Sequence, residues 1–323
     1  MDRSNLKFRS RCIREIRTFF EELDYLEVDT PITAGRVIPE PTIELMGTTI
    51  HGIEDDTGEL VYLLPSPELY MKRLIASGSG SIFQFSRCFR DREAPSRLHS
   101  HEFLMLEWYT VNAGYMDSLE RTEALLGVLA YNRDISPRVE SILSAKFQKI
   151  SVEDAFDEYA GIDLAACGET GALREAGIRC GLEIDPSLEW AELFHLILVA
   201  AVEPKLPLDR PVVLFDYPVQ VGCLARQKEG TPWRERWELY LGGIETANCF
   251  TEMVTAEDVA AYFAEEAKEA AIRQRTDASF PDIYTGTHPP CSGVAMGIDR
   301  LVMFLAGADS ISKVMPFTRR SGV

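Results

Sequence analysis

The 323 residues include 33 Lys plus Arg against 51 Asp plus Glu, a formal net charge of −18, and 46% are apolar. That apolar share can fill a sizeable core, and no unbroken apolar run reaches the ~18–20 residues of a membrane span. The negative balance repels phosphate backbones at long range and weighs against nucleic acid as the main partner, while seven Cys without a Cys-x-x-Cys pair argue against a disulfide framework or a Cys-rich zinc site and for reduced thiols in the cytoplasm.

The first element is a predicted helix over 6–23, with Ile13, Ile16, Phe20 and Leu23 on one face at spacings of three and four. The Arg-rich start runs straight into this helix and lacks the apolar centre of a signal peptide, so it reads as mature structure. Residues 26–31, closed by Pro31, lead out extended. A strand is predicted over 60–64, a turn at Pro65, Ser66 and Pro67, a helix over 68–76, and two strands over 82–89 and 102–111 joined by a polar loop. The stretch 115–205 differs: it is acidic, helical in composition and punctuated by Pro137, Pro186 and Pro204, which predicts a helical insertion. Strand character returns over 211–217, 237–242 and 245–249. One long helix is predicted over 255–275, N-capped by Thr255 with Glu257 and Asp258 in its first turn. A Pro/Gly-rich loop over 280–293 precedes a final Gly-patterned strand and helix. Strands in neighbouring runs, without strand–helix alternation, predict an α+β fold: a mostly antiparallel sheet flanked by helices, in a single catalytic domain over 1–323.

Neither common nucleotide-phosphate fingerprint is present, so ATP binding would need another device. Three constellations supply one. Phe89, Arg90, Asp91, Arg92 and Glu93, followed by His99, Ser100, His101, Glu102 and Phe103, form a hairpin in which an Arg fork can clamp phosphate and an aromatic ring can stack on a base. A charged, solvated turn is the alternative reading of that segment alone. Glu245, Thr246, Asn248 and Glu252 place two carboxylates seven apart around an Asn, a set able to share Mg²⁺ with phosphates. Gly293, Ala295 and Gly297 leave one strand face bare, and Arg300 follows in the first turn of a helix. A cation there opposes the helix dipole and suggests an external anion.

Together and in this order, the constellations resemble the class II aminoacyl-tRNA synthetases, specifically the lysyl branch. Residues 26–31 resemble the end of motif 1, residues 89–103 motif 2, and residues 293–300 motif 3. Within that branch, Ser66-Pro67-Glu68, the run Phe103 to Tyr109 and the run Cys291 to Gly297 resemble the shortened paralogues that attach β-lysine to elongation factor P. Two features distinguish them from full lysyl-tRNA synthetases: few residues precede the first helix, where an anticodon-binding domain takes on the order of 100, and position 295 is Ala.

The resemblance implies ATP and Mg²⁺ as cofactors. It implies Arg90, Arg300, Glu245 and Glu252 as catalytic residues, and Arg90, Asp91, Arg92, Glu93, Ser100, Phe103, Glu245, Thr246, Gly297 and Arg300 around ATP. Ser66, Pro67, Glu68, Glu107, Tyr109, Asn248 and Glu252 would line the amino-acid pocket, with Glu245 and Glu252 holding the metal. The chain departs from the pattern at Arg92, where either Glu93 takes over the adenine contact or that contact is lost, and at Ser100 and Cys249, which bear on the adenine contacts and the pocket shape. The expected activity is adenylation of a lysine-type amino acid and transfer to a lysine of elongation factor P, by a homodimer without tRNA or membrane partners. A truncated synthetase that charges tRNA and a catalytically silent amino-acid-binding paralogue are the alternatives.

Overall fold

A computed structural model describes residues 3–40, 42–52, 58–94, 96–131, 135–268, 270–286 and 288–317. In chain order the elements are α1 (Arg3–Glu22), β1 (Leu26–Glu27), β2 (Thr33–Ala34), β3 (Met46–Ile50), β4 (Glu59–Leu63), α2 (Glu68–Ala76), β5 (Ile82–Phe89) and β6 (Glu102–Val111). There follow α3 (Tyr115–Ala130), α4 (Pro137–Ser144), β7 (Gln148–Ser151), α5 (Val152–Ala155), α6 (Thr170–Arg179) and α7 (Trp190–Ile197). The chain ends with β8 (Val212–Pro218), β9 (Trp233–Leu241), β10 (Ile244–Thr251), α8 (Ala256–Glu266), α9 (Ala270–Arg275), β11 (Cys291–Gly297) and α10 (Ile298–Leu305).

Eight strands form one sheet in the order β1-β5-β6-β11-β10-β9-β8-β7. Its interior pairings are antiparallel, and only the two edge pairs, β1 with β5 and β7 with β8, are parallel. The fold is therefore α+β with a mostly antiparallel sheet, as the clustering of strands predicts. Period-2 alternation splits the sheet into two unlike faces. One carries Phe83, Leu106, Trp108, Val294, Met296 and Leu239, and buries them against Phe8, Cys12, Ile16 and Phe20 of α1, Leu125 of α3 and Leu301 of α10. Phe20 lies at 5.0 Å from Phe83 and 5.1 Å from Trp108, ring centroid to centroid. Each such side chain contributes roughly 1.5–3 kcal/mol of burial. Arg9 of α1 forms a buried ion pair with Asp299 of α10 at 2.6 Å, and the other oxygen of Asp299 accepts the Leu104 N–H at 2.8 Å. These contacts clamp α1, β6 and α10 together beneath the opposite face.

Three local expectations are revised. The stretch 115–205 contains β7, and its first two helices, α3 and α4, pack into the main core through Leu125, Leu129, Val139 and Leu143. From Ile150 onward the insertion builds its own core, centred on Phe156 stacked on Phe194 at 5.1 Å. The helix expected over 255–275 ends at Glu266 and resumes as α9. Arg273 turns back to donate to the freed carbonyls of Ala267 at 3.1 Å and Lys268 at 2.5 Å, which stabilises the break. Thr255 caps α8 as its sequence suggests, its hydroxyl accepting the Asp258 N–H at 3.2 Å. Finally, β9 begins at Trp233, earlier than expected, and brings Arg236 and Glu238 into the sheet.

Candidate active site

Over its middle strands the second face of the sheet carries polar residues, while toward its ends it packs on separate apolar clusters. Strand β11 runs between β6 and β10, so Gly293 lies beside Tyr109 and Phe250, Ala295 beside Glu107 and Asn248, and Gly297 beside Met105. A cavity of about 170 Å³ opens over this floor, lined by Arg90, Glu93, His99, Ser100, Phe103, Glu245, Thr246, Asn248, Ala295, Gly297 and Arg300. From Phe103 to Tyr109 the floor extends over ~20 Å of strand, enough for a nucleotide phosphate at one end and an amino acid at the other.

The two floor glycines differ in kind. A methyl group at Gly297 would meet nothing of the protein closer than 3.9 Å, so packing does not demand glycine there; its absence keeps the cavity floor open. A methyl at Gly293 would stand 2.5 Å from Glu252 Oε1 and 2.6 Å from Tyr109 Cε1, so glycine is required for those side chains to close over the strand.

At the phosphate end Arg90 and Arg300 line the same cavity from opposite elements. Arg90 follows the last residue of β5, lies over the Phe103 ring at 5.3 Å and reaches Glu93 at 3.8 Å. Its buried Nε has no partner, a donor left for an anion. Arg300 donates to the Glu245 carbonyl at 2.9 Å, to Glu245 Oε2 at 3.2 Å and to His99 Nε2 at 2.8 Å. Because guanidinium only donates, His99 Nε2 must accept, and its Nδ1–H then donates to Ser96 Oγ at 2.8 Å. Burial first, then the charges of Arg300 and Arg90, hold the His99 pKa below its ordinary value, so the ring stays neutral. Burial and the neighbouring Glu238 push the Glu245 carboxyl up, against Arg300 and Arg90. A bulge between Glu245 and Ala247 breaks the β10–β9 register and re-aims Glu245 toward this end, while Thr246 turns its hydroxyl back to the Ile244 carbonyl at 3.0 Å.

The amine end is built by α2 and the far ends of β6 and β10. Glu68 stands in the first turn of α2 after the Ser66-Pro67 turn, and Lys72 lies one helical turn later on the same face. Lys72 is 1% exposed and bridges Glu68 Oε1 at 2.5 Å and Glu252 Oε2 at 2.7 Å, with its ammonium 5.4 Å from the centre of the Phe250 ring. Burial opposes the Lys72 charge, but Glu252 and Glu68 outweigh it and raise its pKa well above the ordinary value. Tyr109 donates to Glu107 Oε1 at 2.8 Å. Burial first, then Glu68, raises the Glu107 pKa well above the carboxylate range. Burial likewise raises Glu252, to about 8, with Lys72 opposing and Glu68 adding to the shift. Such a site is short of positive charge and suits a ligand bearing ammonium groups.

Between the ends, Asn248 Oδ1 accepts from Arg236 Nε at 3.0 Å. Its amide N–H₂ is thereby left to donate, which suits a carboxylate oxygen better than the substrate amine expected beside it.

Several expected residues fall elsewhere. Asp91 and Arg92 are exposed and do not line the cavity; Asp91 is tied through its N–H to the Glu44 carbonyl at 2.9 Å, and Arg92 takes a left-handed φ of 53° that turns it outward. Glu93 and Ser100 do line it. Cys249 points into the core on the opposite face, so its departure from the family pattern does not touch the pocket. The pairing of Glu245 with Glu252 on one metal does not hold: seven residues of strand separate them by ~23 Å, and Glu252 is engaged by Lys72. Glu238, on β9 opposite Asn248, is the carboxylate whose charge acts on Glu245; it does not line the cavity and is itself held by Arg236 at 2.7 Å and by the Tyr240 hydroxyl at 2.9 Å.

Residues that the sequence did not single out are Lys72, Arg236, Glu238 and Glu40, and His99 was named there only as part of the hairpin. Burial first, then Glu68, raises Glu40 to about 7, with Arg90, Lys72 and Arg275 opposing. The Lys72–Glu68 spacing of four is the one signal that could have found any of them.

Residues 2–321 match the family described as tRNA synthetases class II (D, K and N), and the chain belongs to that family. Among curated relatives, the elongation factor P--(R)-beta-lysine ligase of Hamiltonella defensa subsp. Acyrthosiphon pisum (strain 5AT) is 33% identical over 322 residues, covering 97% of this chain and 94% of that protein. The ligases of the same name from Salmonella paratyphi B (strain ATCC BAA-1250 / SPB7) and Salmonella schwarzengrund (strain CVM19633) are each 33% identical over 321 residues with the same coverage.

Proposed function

We propose that this protein is an ATP-dependent ligase that activates a lysine-type amino acid, (R)-β-lysine by similarity to its relatives, and transfers it to a lysine side chain of elongation factor P. The observation that carries the reading is the convergence of Arg90 and Arg300 on one cavity floored by Ala295 and Gly297, on a strand where Glu107 lies beside Ala295 and Glu252 stands over Gly293.

In the first step the substrate carboxylate oxygen attacks the α-phosphorus of ATP, and the bond to the departing pyrophosphate breaks. Negative charge develops on the phosphate oxygens. Arg90 and Arg300 stabilise it electrostatically, with the neutral His99 fixing the Arg300 fork. Phe103 supplies a flat face for adenine, Gly297 lets the nucleotide lie close to the backbone, and the Asn248 amide orients the carboxylate. Glu245, the carboxylate of β10 that lines the cavity, would hold Mg²⁺ together with phosphate oxygens, and the ion when bound would neutralise phosphate charge. Glu107 and Glu252 would engage the substrate's ammonium groups, with Lys72 balancing Glu68 and Glu252. In the second step an acceptor amine attacks the acyl carbon; AMP leaves, the amine loses a proton, and an amide forms.

Amino-acid-dependent ATP–pyrophosphate exchange tests the first step. Wild-type protein should exchange with lysine-type substrates. Arg300→Ala should lose about 10²–10³-fold in rate while melting at the wild-type temperature. Normal exchange in that variant would remove Arg300 from the mechanism.

A further inference from the structure

The loop before β11 carries a buried polar group that the mechanism above does not use. It is held on both sides: Asn112 donates to the Pro290 carbonyl at 2.6 Å, and Glu252 donates through its N–H to the Cys291 carbonyl at 2.9 Å. On the other flank, the Tyr284 ring lies 4.7 Å from the His288 imidazole, centroid to centroid. His288 is 8% exposed. Its Nδ1 lies 2.8 Å from the Pro289 carbonyl. A carbonyl only accepts, so Nδ1 carries the proton and Nε2 presents a lone pair. That Nε2 is buried and has no hydrogen-bond partner among the described residues. An orphaned buried acceptor costs about 1–3 kcal/mol, and its retention points to a missing partner.

Among the described residues, Glu107 Oε2 and Glu252 Oε1 of this end are likewise buried without a hydrogen-bond partner, while Glu252 Oε2 has the Lys72 ammonium at 2.7 Å. Direct contacts bring His288, Glu107 and Glu252 to one end: Glu252 donates through its N–H to the Cys291 carbonyl, three residues beyond His288, its Oε1 stands over Gly293 beside Tyr109, and Tyr109 holds Glu107. The His288 Nε2 lone pair is an acceptor, as are both carboxylates once ionised, so the group that completes them is a donor. An ammonium group has three N–H bonds and no acceptor.

We propose that His288 is a specificity-determining residue of the amino-acid end, its neutral Nε2 accepting a hydrogen bond from a substrate ammonium group. This deepens the functional reading above and rests on it. A neutral acceptor suits this position because Lys72 already neutralises two carboxylates, and a third formal charge would add desolvation cost without adding a donor match.

The test uses two variants of the full-length protein that separate the imidazole nitrogens. His288→Asn keeps an amide N–H where Nδ1 stands, preserving the Pro289 contact, and removes the acceptor at Nε2. His288→Gln brings an amide oxygen to the Nε2 position. Exchange is measured with α-lysine, (R)-β-lysine and norleucine, and melting is followed in parallel. The expected result is a KM for the diamino acid raised about 10–100-fold in His288→Asn, with the effect in KM and not kcat, and with the KM for ATP unchanged. His288→Gln should recover most of it, and the preference over norleucine should narrow only in His288→Asn. A folded His288→Asn with wild-type KM, or a folded His288→Gln no better than His288→Asn, overturns the assignment. Calorimetric titration with α-lysine and (R)-β-lysine gives the same comparison without turnover. A wild-type protein that binds but does not exchange overturns the catalytic reading and leaves the His288 comparison to be decided on Kd. One that neither binds nor exchanges overturns both.

Discussion

Gly297 and Gly293 occupy the same strand face, yet they make opposite demands. A methyl at 297 is tolerated by the protein and intrudes only where a ligand would lie. Gly297→Ala should therefore melt like wild type and raise the KM for ATP by at least about tenfold, the scale of a small steric mismatch in a pocket. Gly293→Ala should lower the melting temperature, because its methyl collides with Tyr109 and Glu252. The carboxylates add a pH signature. Glu252, raised to about 8 by burial, must be ionised to hold an ammonium group. It is largely protonated below that pH and charged above it, so the KM for the amino acid should fall as pH rises from about 6 to about 8. A flat KM across that range would show that Glu252 does not meet the amine. Arg90 and Arg300, proposed here to bind phosphate, were legible in the sequence because their neighbours form a distinctive pattern. Lys72, Glu238 and His288 were not. Their significance comes from burial and from cross-strand neighbours, which local spacing does not encode.

Period-2 patterning and turn residues marked β5, β6 and α2 with the bounds the structure shows. Those segments are bounded by Pro, Gly or charged loops that leave no choice of register. The helix over 255–275 misled because its amphipathic pattern continues through a break that Arg273 stabilises by donating to carbonyls five and six residues back, a contact that helical spacing does not signal. Strand β7 is four residues long and pairs only with β8, too short for periodicity to reveal. The joint between α1 and α10 also depends on distant partners. Arg9→Ala leaves Asp299 buried without its counter-charge, and should cost about 3–5 kcal/mol, read by chemical denaturation with an unchanged slope. Since Asp299 also holds the Leu104 N–H beside the site floor, activity should decline together with stability.

Over the whole molecule, one sheet separates a hydrocarbon core from a polar working face, and the insertion carries its own core at the β7–β8 edge. Among the described residues no helix is long and apolar enough to cross a membrane. Just after α1, Leu23, Leu26 and Ile32 stand exposed at 43%, 56% and 41%, an apolar strip beside the segment that resembles motif 1. A homodimer that covers this strip is the expected assembly. Sedimentation should give a dimer that Leu26→Lys weakens, and a wild-type monomer would reject it. The charge of −18 disfavours a long phosphate backbone as acceptor, whereas a lysine side chain on a protein surface needs only the amine to reach the adenylate. The most direct measurement follows labelled lysine-type amino acid in one reaction that contains ATP, elongation factor P and tRNA. The account predicts label in an alkali-stable amide on elongation factor P and an uncharged tRNA. Label released from tRNA by mild alkali, with none on the protein, would contradict it.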